Sequence, residues 1–356
     1  MSEVSTTPSP APSPAKKPTR RSFLKYAVAG AVVVAAAAIG GTAYYEYDYL
    51  PSITPKTAAI ADFSTAPGEA AIKNILQSQN LLSKYHIEAN WSDYTSSASA
   101  MAAYAAAQGS VPFSFAGSIL DAARLAAQGV PIQTVMGGLG ATDAVVVANG
   151  SGINSLSDLE GKTIYSFTPQ PPTLYVAAKT ESFDIKSVKI VTGAPPIMVQ
   201  QLESGQIDAA YLLEPYLTEL AQSGKTTVLT SFKQEWAKIS STQLPIVGIL
   251  TCWNSFSKQS PDVVTNLTSA FIDAFTYLRA NPSVLNPLFA QAQVPQSLLS
   301  QAANNYVSYV PPYSWDGNMI SQIDNFLNIM VEVGAIQSNP ANMMTSSYIA
   351  SGKSIT

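Results

Sequence analysis

From residue 57 onward the chain alternates short apolar strands with single helices, and it does so twice in the same order. A strand at 57–63 runs into the small polar loop 64–68. Ile72, Ile75 and Leu76, then Leu81 and Leu82, follow at helical spacing. Strands are expected at 87–91, 111–115, 132–136 and 144–148. Ser97 reads as the N-cap of an Ala-rich helix over 98–108, and Gly129 closes a helix over 119–128. Beyond a helical turn at 156–160 stopped by Gly161, the pattern repeats. Strands at 162–167, 188–191, 209–213 and 226–229 interleave with helices at 173–180, 197–203 and 215–222. A strand at 246–253 then leads into helices at 262–280, 284–291, 296–304 and 317–333. Strands joined through single helices lie parallel, with right-handed crossovers. The pattern predicts an α/β fold of parallel-rich sheets flanked by helices, with any ligand at the carboxyl ends of the strands.

Composition removes several function classes. Charged residues make up 12% of the chain, and past residue 50 there are 14 basic against 20 acidic residues. A nucleic-acid binder needs a basic footprint to neutralise phosphates, so no nucleic acid is expected as a partner. One cysteine, Cys252, excludes an internal disulfide and a thiolate metal cluster, and one histidine, His86, leaves no His-rich metal site. Cys252 reads as a small buried hydrophobe in an apolar strand, and His86 as a polar residue ending a helix. Gly161-Lys162-Thr163 and Gly224-Lys225-Thr226 imitate the end of a phosphate-binding loop. Leu156 and Glu219 stand where the earlier glycine is required, and each glycine ends a helix rather than opening one. There is no G-x-S-x-G elbow and no H-E-x-x-H pair. No cofactor, no metal and no enzymatic activity are expected.

The first fifty residues carry an address. Residues 1–26 hold a Pro/Ser/Thr run that should be disordered, then Arg20-Arg21-Ser22-Phe23-Leu24-Lys25. That motif, followed by an Ala/Val/Gly segment, resembles a twin-arginine export signal; the alternative is a signal-anchor with a basic flank. Either exports the chain. Residues 27–45 are a membrane anchor or a signal segment. The apolar stretch 27–43 spans ~26 Å as a helix, and Tyr44, Tyr45, Tyr47 and Tyr49 suit a membrane interface. Gly41-Thr42-Ala43 is nonetheless an acceptable cleavage site. Retention as an anchor is favoured.

Past that segment, the ordered set of motifs is more specific than any one of them. Leu81-Leu82-Ser83-Lys84-Tyr85-His86-Ile87 and Ser96-Ser97-Ala98-Ser99-Ala100-Met101 come first, followed by Phe113-Ser114-Phe115-Ala116-Gly117-Ser118. Ser155-Leu156-Ser157-Asp158-Leu159-Glu160-Gly161-Lys162-Thr163-Ile164 and Leu202-Glu203-Ser204-Gly205-Gln206-Ile207-Asp208-Ala209-Ala210 follow. Leu213-Glu214-Pro215-Tyr216 and Leu278-Arg279-Ala280-Asn281-Pro282 complete the set. Across about residues 57–292 the chain resembles solute-binding proteins of the nitrate/sulfonate/taurine group of ABC importers, with NMT1-like and pyrimidine-precursor-binding proteins as near relatives.

The resemblance implies a type II two-lobed clamshell. Lobe one would span 57–143, lobe two 144–243, and 244–356 would return to lobe one with the C-terminal helices. Cleft loops would be 64–68, 95–99 and 114–118 from lobe one, and 168–173, 193–196 and 211–214 from lobe two. Ligand contacts would come from Ser97 and Ser118, and from Thr173, Tyr211 and Glu214. Thr173 is also placed to cap the helix opening at residue 174. The implied function is capture of a small solute outside the membrane by a monomer, and its delivery to a permease driven by an ATPase subunit. A sensory ectodomain and a pyrimidine-precursor biosynthetic enzyme are the alternatives, the latter set back by having one Cys and one His.

One departure bears on the ligand. Prolines in Thr168-Pro169-Gln170-Pro171-Pro172-Thr173 remove backbone N–H donors that would hold an anion. The arginines past residue 50, Arg124 and Arg279, fall in expected helices away from the cleft loops, and those loops contain no lysine. A small neutral or singly charged organic solute, packed against Tyr211 or Phe115, fits better than nitrate or a sulfonate.

Overall fold

Two five-stranded sheets share one strand order in the computed structural model, which describes residues 55–63, 66–181 and 183–356. The twin-arginine motif and the 27–45 segment lie outside the described residues. The strands are β1 (Lys56–Asp62), β2 (Ile87–Asp93), β3 (Phe113–Phe115), β4 (Ile132–Met136) and β5 (Asp143–Ala148). Then come β6 (Thr163–Ser166), β7 (Lys189–Thr192), β8 (Ala209–Leu213), β9 (Thr226–Ser231) and β10 (Leu250–Trp253). Helices α1 (Pro67–Ser78), α2 (Leu81–Lys84), α3 (Ser97–Ala106) and α4 (Ile119–Ala127) belong to the first lobe. The second carries α5 (Pro172–Thr180), α6 (Pro195–Glu203) and α7 (Tyr216–Ser223), while α8 (Phe232–Ala237) follows β9 and packs Phe232 and Trp236 into the core of the first lobe. The C-terminal part adds α9 (Asn254–Gln259), α10 (Pro261–Ala280), α11 (Asn286–Gln291), α12 (Leu299–Val307) and α13 (Gly317–Glu332).

The first sheet runs β2-β1-β3-β10-β4 and the second β7-β6-β8-β5-β9. In each, the strand that arrives from the other lobe, β10 or β5, is inserted antiparallel between two strands that it joins. The remaining pairs are parallel. The result is the two-lobed type II binding-protein fold. Because β5 and β10 enter antiparallel, both crossings lie at the carboxyl edges of the parallel strands. Those two edges therefore face each other across the hinge.

The hinge is a backbone pair. Leu139 N–H donates to the Val247 carbonyl at 3.1 Å, and Val247 N–H returns the bond to Leu139 at 2.8 Å. Glycine makes the approach feasible: a Cβ on Gly137 would overlap the Pro245 carbonyl, and one on Gly138 would overlap the Phe275 ring. Gly248, at φ +58°, occupies the left-handed region. That turn confines the strand to Leu250–Trp253, so 246–249 is crossing segment and not the extended strand its apolar run suggests.

Period-two alternation fills the second lobe. Val145 and Val147 face one layer while Ala144, Val146 and Ala148 face the other, all buried, so β5 is covered on both sides. Each such valine contributes ~1.5–3 kcal/mol of burial. In the first lobe Phe115 packs edge-on against Phe271 at 4.7 Å and Phe275 at 6.3 Å, tying β3 to α10. The C-terminal tail returns to this lobe as well: Thr134 N–H donates to the Met343 carbonyl, and Tyr313 and Ile355 exchange backbone bonds. Lys353 pairs with Asp273 beneath Tyr85.

Several local details depart from the sequence pattern. The first helix stops at Ser78, because Asn80 takes a left-handed conformation at φ 52° before α2. Ser96, not Ser97, caps α3, accepting from Ser99 N–H at 3.1 Å. The helix expected at 296–304 is observed at Leu299–Val307. Helix α8 had no counterpart in the apolar pattern; Ser231 caps it by accepting from Gln234 N–H. Among the described residues no helix is long and apolar enough to cross a membrane.

Gly138→Ala should destabilise the protein by ~1–3 kcal/mol, since the added methyl has to displace a buried ring in a packed core. Urea unfolding of that variant against Gly129→Ala, whose Cβ meets open space but sits at positive φ, separates overpacking from backbone strain.

Candidate functional site

The facing carboxyl edges gather the expected site residues into separate clusters. On the first lobe Ser118 caps α4 in a reciprocal box: its hydroxyl accepts from Asp121 N–H, and Asp121 Oδ2 accepts from Ser118 N–H at 3.0 Å. Asp121 Oδ2 also accepts from the Ser118 hydroxyl at 2.8 Å and from Ser97 Oγ at 3.4 Å. Ser97 and Ser118 thus converge on one carboxylate. Arg124 Nη1 donates to Asp121 Oδ1 at 3.2 Å, while its Nη2 is buried without a partner. Arg124 is not remote from the other lobe, as its position inside a helix suggested. Its charge acts on Tyr175 of α5, whose hydroxyl is pushed up by burial and partly brought down by the guanidinium.

On the second lobe Thr173, fully buried, donates to Asp143 Oδ2 at 2.7 Å and lies 3.2 Å from the Tyr211 hydroxyl. Tyr211 is itself fully buried, stacked on Phe167 with centroids 5.2 Å apart. Pro171 holds the N-cap position of α5, so Thr173 is inside the first turn and spends its hydroxyl on Asp143 instead of capping. Burial pushes the Asp143 carboxyl up to about 7, against the hydrogen bond from Thr173 that lowers it. Asp143 opens β5 opposite Leu213, and Glu214 N–H donates to the neighbouring Thr142 carbonyl at 3.2 Å.

Glu214 joins the lobes. Its Oε2 accepts from Thr218 N–H at 3.2 Å and from Thr218 Oγ1 at 2.8 Å, and Thr218 Oγ1 accepts from Asn305 Nδ2 of α12 at 2.8 Å. Burial raises the Glu214 carboxyl, with Thr218 opposing. Just past α12, burial pushes the Tyr309 hydroxyl up to about 12, with Glu214 and Asp143 adding to the rise. Tyr306 is raised by burial and then by Glu69, the buried acid in the first turn of α1. Burial takes Glu69 to about 7, and Asp62 at the end of β1 adds to it. Asp62 itself is raised to about 6 by burial, with Lys73 opposing at 3.5 Å. Acids from both lobes therefore surround the end of α12.

Residues 90–284 match the NMT1/THI5-like family. The chain belongs to that family. The taurine-binding periplasmic protein of Escherichia coli strain K12 is 30% identical over 201 residues, 55% of this chain and 59% of the relative, so the match spans under two thirds of that protein. The crystal structure of the periplasmic aliphatic sulphonate-binding protein from Escherichia coli superposes with a TM-score of 0.63 at 14% identity, covering 82% of this chain and 96% of that one. A desulfurization enzyme shares the fold at a TM-score of 0.54 and 15% identity, covering 83% and 96%. The structural likenesses establish the NMT1/THI5-like chain as a type II binding-protein fold.

Asp62, Glu69, Asp143, Tyr306 and Tyr309 were not among the candidates read from sequence. A lone acid at the end of an apolar strand was the available signal: Asp62 closes Ala58-Ala59-Ile60-Ala61, and Asp143 opens Ala144-Val145-Val146-Val147. Tyr306 and Tyr309 carry no such mark, since an aromatic at helical spacing reads as core.

In the ligand-free protein Asp143 holds its proton more tightly folded than unfolded. Its contribution to stability is complete below about pH 4 and is lost as pH rises through about 7, the raised value. Asp143→Asn should remove that loss, flattening the fall by up to ~1.4 kcal/mol per pH unit. Urea midpoints followed across that window check it; an unchanged slope would mean that Asp143 ionises freely.

Proposed function

We propose that this chain is the extracytoplasmic solute-binding component of an ABC importer, closing on a small organic solute between its two lobes, Asp143 counting with the second because it opens β5, and delivering it to a permease and its ATPase. The observation that carries this reading is the hinge: one short backbone pair joins two facing carboxyl edges, and buried polar side chains from both lobes meet beside it. Ligands of open α/β sheets bind at such edges. Ser97, Ser118, Thr173, Tyr211 and Glu214 are the proposed ligand residues, with Asp143 holding Thr173 in place. The N-terminal segment exports the chain and tethers it as a monomer to the outer face of the membrane.

Catalysis is the weaker reading on specific grounds. Cys252 is fully buried in β10, and burial pushes its thiol above the ordinary range. His86 stands at the amino edge of the first sheet, where its carbonyl accepts from Lys56 N–H, away from the cleft edge. A thiolate–imidazole pair is therefore not assembled. A fold shared with an enzyme does not transfer its chemistry.

The test is a thermal-shift screen of the purified chain with small organic acids, amines, amides and pyrimidines. A ligand that binds only the folded, closed state stabilises by ~2.7 kcal/mol at 100-fold excess over its dissociation constant. A hit is expected, and Thr173→Val should weaken it about tenfold, ~1.4 kcal/mol. Conversion of the hit to a product would contradict a binding protein.

A further inference from the structure

The inference rests on the solute-binding reading and concerns the chemical class of the solute. Asp62, Glu69, Asp143 and Glu214 are each at least nine-tenths buried. A buried carboxylate costs several kcal/mol unless a cation or several donors meet it. The donors that meet them fall short. Neither oxygen of Asp62 accepts a hydrogen bond, and the nearest cation, Lys73 Nζ, is 3.5 Å away and also paired with Asp93. Asp143 is met by the Thr173 hydroxyl and its own backbone N–H, and by no cation. Glu214 is met by neutral donors only: Thr218 N–H and Oγ1 at Oε2, with the Asn305 amide also lowering its carboxyl. In the proline-rich loop ahead of α5, Gln170 Oε1 is likewise a buried acceptor without a partner.

The cations that border the cleft are directed elsewhere. Arg124 is held by Asp121, and Lys233 stands over the Tyr309 ring at 5.9 Å. Neither is among the groups that offset the burial of Asp143 or Glu214. The cleft thus presents unsatisfied acceptors from both lobes and a shortage of positive charge. An anionic solute at this place would drive these acids further towards their protonated forms, whereas an ammonium or amidinium favours the charged carboxylates and supplies N–H donors to them.

We propose that the solute is a small organic cation, an ammonium or amidinium, held between Asp143 and Glu214 of one lobe and Asp62 and Glu69 of the other. The Tyr309 ring, which carries Lys233 Nζ 5.9 Å from its centroid, adds an aromatic face suited to a cation. Lobe closure then brings the two acid pairs onto one positive group, so the charge of the solute itself favours the closed state.

The test uses shape-matched probes on the full chain in detergent, read by titration calorimetry. Butylamine, benzylamine and benzamidine are the cations, butanesulfonate and benzoate the anions, and benzamide the neutral isostere. At least one cation should bind tenfold or more tighter than every anion and than benzamide. Asp143→Asn and Glu214→Gln should each weaken it tenfold or more while keeping a cooperative thermal transition. If either variant does not fold, the wild-type ranking of the probes decides alone. Tighter binding of an anion, which would place recognition at Arg124, or equal binding of benzamide overturns the cation assignment and leaves a solute-binding protein standing. Binding of no probe, together with no hit in the wider screen, overturns both.

Discussion

The reciprocal hydrogen bonds between Leu139 and Val247 are the constraint on which the rest of the molecule depends. They hold the two crossings side by side, and that fixes where β5 and β10 enter their sheets. Because each enters antiparallel, the carboxyl edges of both sheets point at the hinge. Gly137 and Gly138 permit the close approach, since any side chain there would strike Pro245 or Phe275. A pair of extended segments with two mutual bonds can bend without losing either sheet. The hinge is therefore the structural link, and in the proposed function it is the axis for closure.

Around that axis the lobes are joined by polar contacts rather than by a continuous core alone. Asn305 reaches Thr218 and through it Glu214, and Lys179 pairs with Glu332 at 2.6 Å on the side where α5 meets α13. The second contact is exposed and contributes little in water. The first is part-buried at Asn305 and ends on the buried Glu214 carboxyl, one of the proposed ligand residues. Any group that satisfies Glu214 from the cleft side therefore acts on the same chain of hydrogen bonds that ties α12 to the second lobe. Under the proposed function, ligand contact and lobe position would share this residue.

How much of this was legible in the sequence follows from the range of each interaction. Repeated strand–helix alternation is local, and it located β1, β6 and β8 to within a residue or two and indicated sheets rich in parallel pairs. The antiparallel insertion of β5 and β10 depends on a contact between residues about a hundred positions apart, which no local pattern encodes. The capping of α3 turned on one residue: Ser96 and Ser97 are both competent caps, and only the backbone decides that Ser96 accepts from Ser99. Thr173 was legible as a polar group at the start of a helix and Tyr211 through the cleft loop 211–214 that the resemblance implied, but their partner Asp143 was not, because its place beside them is set by strand pairing. Arg124 looked remote by its position within a helix, yet its charge reaches Tyr175 of the other lobe and lowers that hydroxyl against its burial.

The most direct test of the account is a crystal structure of the chain with the tightest hit from the screen. Solute density should lie between the carboxyl edges, with its polar atoms within hydrogen-bond distance of Asp143 or Glu214 on one side and Asp62 or Glu69 on the other. The Leu139–Val247 pair should be intact. Density confined to one lobe, or lodged away from both edges with these four acids still unpartnered, would contradict a clamshell that closes on its solute at the hinge.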